Sequence, residues 1–272
     1  GRAGLAMALA GLPLSARCDG PGATPPGVGA VVSAGGEPRV ALWEGLPALG
    51  QSCLLVALSG AAGTAGALGP EAPQIRTALA EGLSLGDPGR SWHSDRTPVL
   101  RLTDWLVRVN LALGKMGEDC IALVQTGIQE IRLGGAGASS TMPQKQNPVA
   151  PSALVALARQ GSGLLSVLHG AAMQQHQRDG AAWFTEWMCL PQIVLGAASA
   201  AAMAKDLSAG ITPNADAMGA ALASGPDMIH DEAMRPAPAA TRSRRDAQAA
   251  RINTTLEATD TARTHSSRAP TH

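Results

Sequence analysis

Leu102, Leu106, Val109, Leu113, Met116, Cys120 and Leu123 recur at alternating steps of four and three residues. A period near 3.5 draws one apolar stripe along a long helix that packs in a bundle. Gly134-Gly135 supplies the expected stop, as a left-handed glycine cap would. Pro148 and Pro151 suit the start of a second helix, where the missing N–H groups have no partner to lose. In that helix Leu154, Leu157, Leu164 and Leu168 repeat the stripe, and Gly161 on the same stripe permits close approach. A third helix is predicted from about Ala182 to Asp206, bent at Pro191. Thr212-Pro213 reads as an N-cap and first-turn pair that opens a short helix to about Ser224. No hairpin or βαβ pattern competes. The expected fold class is all-α, a bundle of long, nearly antiparallel helices with a small C-terminal helical region.

Three regions differ in character. Residues 1–40 are rich in Gly, Pro and Ala; a short helix around Leu5 to Leu12 fits, and Gly20 to Gly36 reads as loop. Residues 41–208 form the predicted helical domain. Residues 209–272 hold the short C-terminal helical region and, from about Arg235, a polar tail rich in Thr, Ser, Ala and Pro.

Composition narrows the class. A chain of 272 residues is long enough for one large domain or two small ones. Its formal charge is zero, so no basic field points to nucleic acid. Cys18, Cys53, Cys120 and Cys189 lie far apart with no C-x-x-C pair, which indicates neither a zinc site nor a disulfide framework and favours a reduced, cytoplasmic setting. No uninterrupted apolar run approaches the roughly 18 residues of a membrane span. The six histidines form no H-E-x-x-H pair, so no metal is expected.

Between the first two predicted helices the chain turns polar. Residues Gly137 to Pro148 bring together Ser139, Ser140, Lys145 and Asn147 with two prolines, and chemistry is often carried on such loops. The segment resembles the signature loop of the fumarase/aspartase superfamily, G-S-S-x-M-P-x-K-x-N-P. Ser139, Ser140, Met142, Pro143, Lys145, Asn147 and Pro148 keep that spacing, and Ala138 replaces the usual glycine. The resemblance implies cofactor-free β-elimination or addition on carboxylated substrates. It also implies a homotetramer in which each active site draws on several subunits.

Within the superfamily the chain is most similar to the bacterial 3-carboxy-cis,cis-muconate cycloisomerases. Ser152 stands where many of the lyases carry a glutamate. The run His176-Gln177-Arg178-Asp179-Gly180-Ala181-Ala182-Trp183 fits that subfamily, as do Glu186-Trp187 and Leu190-Pro191. Leu58 to Thr64 resembles a substrate-side glycine loop, and Trp92-His93 with Arg96 fits a third such segment. The resemblance covers roughly residues 41 to 232. The upstream signatures of full members are not found before Ala41, so the chain reads as N-terminally truncated or altered. The expected activity is lactonisation of a carboxylated muconate in protocatechuate breakdown. An adenylosuccinate lyase-like β-elimination and a non-catalytic remnant are the alternatives.

By this resemblance Ser139 is the proton-transfer residue, with a small polycarboxylate as substrate. The difficult species is an enolate beside a carboxylate, which needs preorganised donors. Lys145 and Asn147 have the chemistry to hold carboxylate oxygens. Thr64 offers a hydroxyl, and Ser140 reads equally as a substrate contact or as a loop hydrogen bond. His93 and His176 lie in the similar segments and are candidate substrate contacts. Arg178 has the guanidinium fork that grips a carboxylate in two places, and a salt bridge to Asp179 or Glu186 is its other reading.

Overall fold

The structure is a computed structural model and describes residues 16–18, 20–23, 38–134, 137–138 and 146–223. Its helices are α1 (Leu46–Cys53), α2 (Ala72–Gly82), α3 (Thr97–Leu123), α4 (Val149–Ala171), α5 (Gly180–Gly210) and α6 (Ala215–Ala223), with residues 38–44 also helical. The strands are short: β1 (Ala16–Cys18), β2 (Gly20–Ala23), β3 (Ile131–Leu133), β4 (Gly137–Ala138), β5 (Gln146–Asn147) and β6 (Ile211–Pro213). They pair antiparallel as β1–β2, β3–β6 and β4–β5. The fold is all-α with a few two-stranded ties. The chain divides into two compact units, one of residues 1–44, 116–152 and 205–272, the other of residues 45–115 and 153–204.

The second unit has a core of Val107, Leu168, Cys189 and Ile193, with Val99, Leu100, Leu106, Leu164 and Leu165 packed around it. Helices α3 and α4 meet closely because small residues face each other. A Cβ added at Gly114 would stand 2.7 Å from the Ala158 Cβ, closer than real side chains approach. Gly161 lies against Val107 and Asn110, as its place on the predicted stripe implies. The α3 stripe itself sits one position off. Leu113 and Cys120 are buried, but Leu102, Leu106, Val109, Met116 and Leu123 are only half-buried. The innermost face runs through Thr103, Val107, Asn110, Gly114, Gly117 and Val124.

In α5 the buried positions are Ala182, Glu186, Cys189, Ile193, Ala197, Ala200, Ala204 and Leu207, a continuous helical stripe. Its outer side is apolar too, with Phe184, Met188, Val194 and Leu195 exposed. Among the described helices α5 alone is long and apolar enough, by length and composition, to cross a membrane. It holds no uninterrupted apolar run of that length because isolated polar residues such as Thr185, Glu186 and Gln192 break the sequence while its average hydropathy stays high. Pro191 lies inside this helix, which continues to Gly210.

The first unit corrects two expected boundaries. Helix α3 ends at Leu123, not at Gly134, because Gly127 and Gln129 take positive φ of 88° and 49° and turn the chain back. The Glu130 N–H then returns to the Leu123 carbonyl, and the chain continues as β3. Gly134 does not act as the helix cap: its N–H donates to the Gly210 carbonyl at 2.7 Å, in a contact too tight for a Cβ. Thr212-Pro213 belongs to β6, where Thr212 pairs with Arg132. Asn214 is the residue that opens α6: its side-chain oxygen accepts the Ala217 N–H, and its amide donates to the Gln129 carbonyl. A proline after threonine suits a helix's first turn, but its fixed φ is equally at home at the end of a short edge strand. The expected helix at Leu5 to Leu12 and the polar tail lie outside the described residues. Within the expected loop at Gly20 to Gly36, residues Gly20–Ala23 form β2.

Candidate functional site

The second unit contains an open cleft of about 510 Å³ built from three segments. The first leaves α1 as extended chain. Val56 donates its N–H to the Gly86 carbonyl, and Gly86 donates to Leu54. Beyond it the chain turns at Gly60 and Gly63, whose φ of 67° and 78° favour glycine, and the Ala65 N–H closes the turn on the Ser59 carbonyl. Gly63 runs so close to Ser91 that an added Cβ would lie 3.2 Å from its hydroxyl.

The second segment, Ser91 to Arg96, is pinned by Trp92. Its indole N–H donates to the Val56 carbonyl at 2.8 Å. Asp95 accepts the Thr97 N–H just before α3 and pairs with Arg90. Hydrogen bonds from Thr97, then Arg90, hold its carboxyl down to about 2. These ties orient His93 and Arg96 toward the cleft.

The third segment is the first two turns of α5. Asp179 caps the helix: one oxygen accepts the Ala181 and Ala182 N–H groups and the other accepts that of Gln175. These backbone bonds also hold its carboxyl below the usual range. From that start Trp183, Glu186 and Trp187 fall on one helical face and line the cleft.

The charges divide into a tied pair and an open cation. Arg96 grips Glu186 through two parallel bonds, Nε to Oε2 at 2.8 Å and Nη2 to Oε1 at 2.6 Å. Both side chains are nearly out of solvent, at 14% and 11% exposure. The Arg96 guanidinium also lies 5.3 Å from the Trp92 ring centre. Arg178 is exposed, stacks 4.5 Å from the Trp183 ring centre and makes no ion pair among the described residues. His93 meets Trp183 edge-on at 5.8 Å, and its Nε2 is buried without a hydrogen-bond partner among the described residues. A guanidinium and an imidazole facing one open cleft can receive a carboxylate. Among the described residues no cluster of three His, Cys, Asp or Glu could hold a metal.

Of the residues singled out from the sequence, the cleft brings together His93 and Arg178. Thr64 is exposed and falls outside the lining, although its loop contributes Ser59 and Gly60. His176 is exposed with φ of 55°, a left-handed residue in the turn before α5, and does not line the cleft either. Asn147 belongs to the other unit, where its pairing with Gly137 in β5–β4 brackets the signature segment. Ser139, Ser140 and Lys145 lie outside the described residues. Glu186 and Arg96 are functional residues beyond those named from the sequence: Glu186 is signalled by a lone charge inside the apolar start of α5, whereas Arg96 sits in the polar segment before α3 and carries no such signal.

A protein-family description of lyases matches residues 44–163. A 3-carboxy-cis,cis-muconate cycloisomerase of Pseudomonas aeruginosa is 38% identical over 61% of this chain and 37% of its own length. The Pseudomonas putida protein of that description is 37% identical over 64% of this chain and 42% of its own. The crystal structure of the 3-carboxy-cis,cis-muconate lactonizing enzyme from Pseudomonas putida superposes with a TM-score of 0.74 at 30% identity, covering 85% of this chain and 56% of that one. The chain thus spans about two fifths of the length of these curated relatives.

Proposed function

We propose, from the premise that this chain belongs to the fumarase/aspartase superfamily, that it acts in lactonisation of a 3-carboxy-muconate-like substrate. One observation carries the reading from sequence to chemistry: the exposed Arg178 and His93, whose Nε2 has no hydrogen-bond partner among the described residues, line the same cleft. A tricarboxylate would bring its charge to Arg178, which gives two parallel bonds to a carboxylate, while His93 holds a second oxygen. In lactonisation one carboxylate oxygen adds to a double bond of the same molecule, and the carbon next to another carboxylate gains a proton. The enolate that precedes protonation needs fixed donors, and Lys145 and Asn147 are assigned that task. Ser139 is assigned the proton, and its hydroxyl serves this role only where neighbouring N–H groups and cations stabilise its charged form.

Thr64, Ser140 and His176 complete the assigned substrate contacts from their places in the similar segments. The half-buried α3 stripe and the exposed apolar side of α5 support self-association as a homotetramer, since large apolar patches mark association surfaces. A cytoplasmic location accords with the thiols and with the metabolic reaction. The test is an ultraviolet assay for loss of the conjugated 3-carboxy-muconate by the purified chain. Turnover that depends on Arg178 supports the reading. No turnover, with the chain folded and oligomeric, overturns it in favour of a non-catalytic relative.

A further inference from the structure

The chain has five tryptophans, one phenylalanine and no tyrosine. Aromatic rings normally serve a core, because each buries a large apolar area. Here none of the six is buried; the core is built from Leu, Ile, Val, Ala, Met and Cys. Trp92, Trp183 and Trp187 instead line the cleft, and Phe184 braces Trp187 edge-on at 5.5 Å. The rings have different duties. Trp92 spends its N–H on the Val56 carbonyl and has Arg96 beside its ring. Trp183 carries the Arg178 guanidinium at 4.5 Å and the His93 edge at 5.8 Å. Trp187, tilted 32° from Trp183 at 6.1 Å, has no cation beside it among the described residues and remains 61% exposed.

We infer that Trp187 is the specificity-determining residue of this cleft: its ring receives the π-face of a planar, conjugated carboxylate whose charge is taken by Arg178. The inference rests on the proposed carboxylate reading of the cleft and adds the shape of the ligand. A conjugated chain keeps its carbons and carboxylates near one plane, so it stacks on an indole with little loss of freedom. A saturated polycarboxylate is kinked at every carbon and offers no such face. Both satisfy the guanidinium, so charge alone does not separate them. The aromatic face does.

Isothermal titration calorimetry of the full chain with trans-aconitate and with tricarballylate, its saturated counterpart, tests this. Wild type should bind trans-aconitate about tenfold tighter, the size of one aromatic contact. Trp187→Leu should erase the preference while leaving tricarballylate binding unchanged, and Trp187→Phe, which keeps a flat ring, should restore most of it. Trp187→Phe also serves alone if the leucine variant fails to fold: it must retain a preference of at least a few-fold. Equal binding of the two acids by wild type overturns the inference, as does binding of neither. A preference that survives Trp187→Leu, with a change in oligomer mass by light scattering, would assign the ring to a subunit interface and overturn it as well. Neither acid need be turned over, so failure of muconate turnover with the preference intact refutes the proposed reaction and not the recognition.

Discussion

Removing either member of the Arg96–Glu186 pair should destabilise the protein far more than a surface ion pair would. The two bonds, 2.8 Å and 2.6 Å, form a parallel fork between segments 90 residues apart. An exposed pair contributes at most about 1 kcal/mol, whereas breaking a buried one costs about 3–5 kcal/mol because the remaining charge is stranded. Exposures of 14% and 11% at the cleft wall let some water reach a stranded charge. We therefore expect about 2–3 kcal/mol for Glu186→Met or Arg96→Met, near the value of a charge-assisted hydrogen bond lost without replacement. The double variant leaves no stranded charge and should be more stable than the sum of the single losses predicts, with a coupling above about 1.5 kcal/mol. Urea unfolding at pH 7 gives each midpoint, and an unchanged slope confirms that the compared states are the same. Raising salt from low to molar concentration should alter the coupling little, since pairs out of water are weakly screened. A coupling under about 0.5 kcal/mol, or one abolished by salt, would refute the assignment of this pair as a buried strut.

Gly114→Ala forces a Cβ to 2.7 Å from that of Ala158; overpacking of about 1–3 kcal/mol should outweigh the gain of up to about 1 kcal/mol from losing a helical glycine. A lower melting temperature, relieved by Ala158→Gly, is expected, and a higher one would deny the close contact. Asp87 is held at about 2 chiefly by its bond from Arg76, and Asp95 at about 2 chiefly by Thr97, then Arg90. Both lie below the ordinary 3.8, so their contribution is complete above about pH 4 and is lost as pH falls toward 2. Asp87→Asn with Asp95→Asn should flatten that acid limb of stability; an unchanged limb would count against these bonds. Citrate should raise the melting temperature of wild type by mass action and fail to do so for Lys145→Ala, if Lys145 holds a carboxylate. Ser139→Ala should lower kcat by about 10²–10⁴ with KM similar, and Ser140→Ala should cost far less; the reverse order would displace Ser139 from the proton transfer.

The long helices were legible because their apolar positions repeat with the helical period, and that signal needs no partner to be seen. What it located in α3 was the flank of the packing face. The innermost positions include Thr103, Asn110, Gly114 and Gly117, residues that score as polar or neutral. At Gly114 the close approach of α4 at Ala158 leaves no room for a Cβ, and the glycines Gly161 and Gly196 make room beside the Asn110 amide. Hydrophobicity reports the energy of a residue leaving water, not the distance between two backbones. The β3–β6 tie was hidden for a related reason: each strand has three residues, too few for alternation to be recognised, and their pairing joins Ile131 to Pro213.

Arg178 illustrates where sequence stops and geometry continues. Its neighbours Asp179 and Glu186 both offered a salt bridge, and nothing in their spacing decided between that and an open cation. In the fold each carboxylate is already committed. Asp179 accepts three backbone N–H groups as the cap of α5. Glu186 is turned inward on the buried face and bound at both oxygens by Arg96. Arg178 is then left on the rim, its guanidinium set against Trp183 instead of against a carboxylate. A stacked guanidinium keeps its in-plane N–H groups free, since the ring takes only its face. The motif supplied the residue, and the commitments of its neighbours determine that its charge remains available to a ligand.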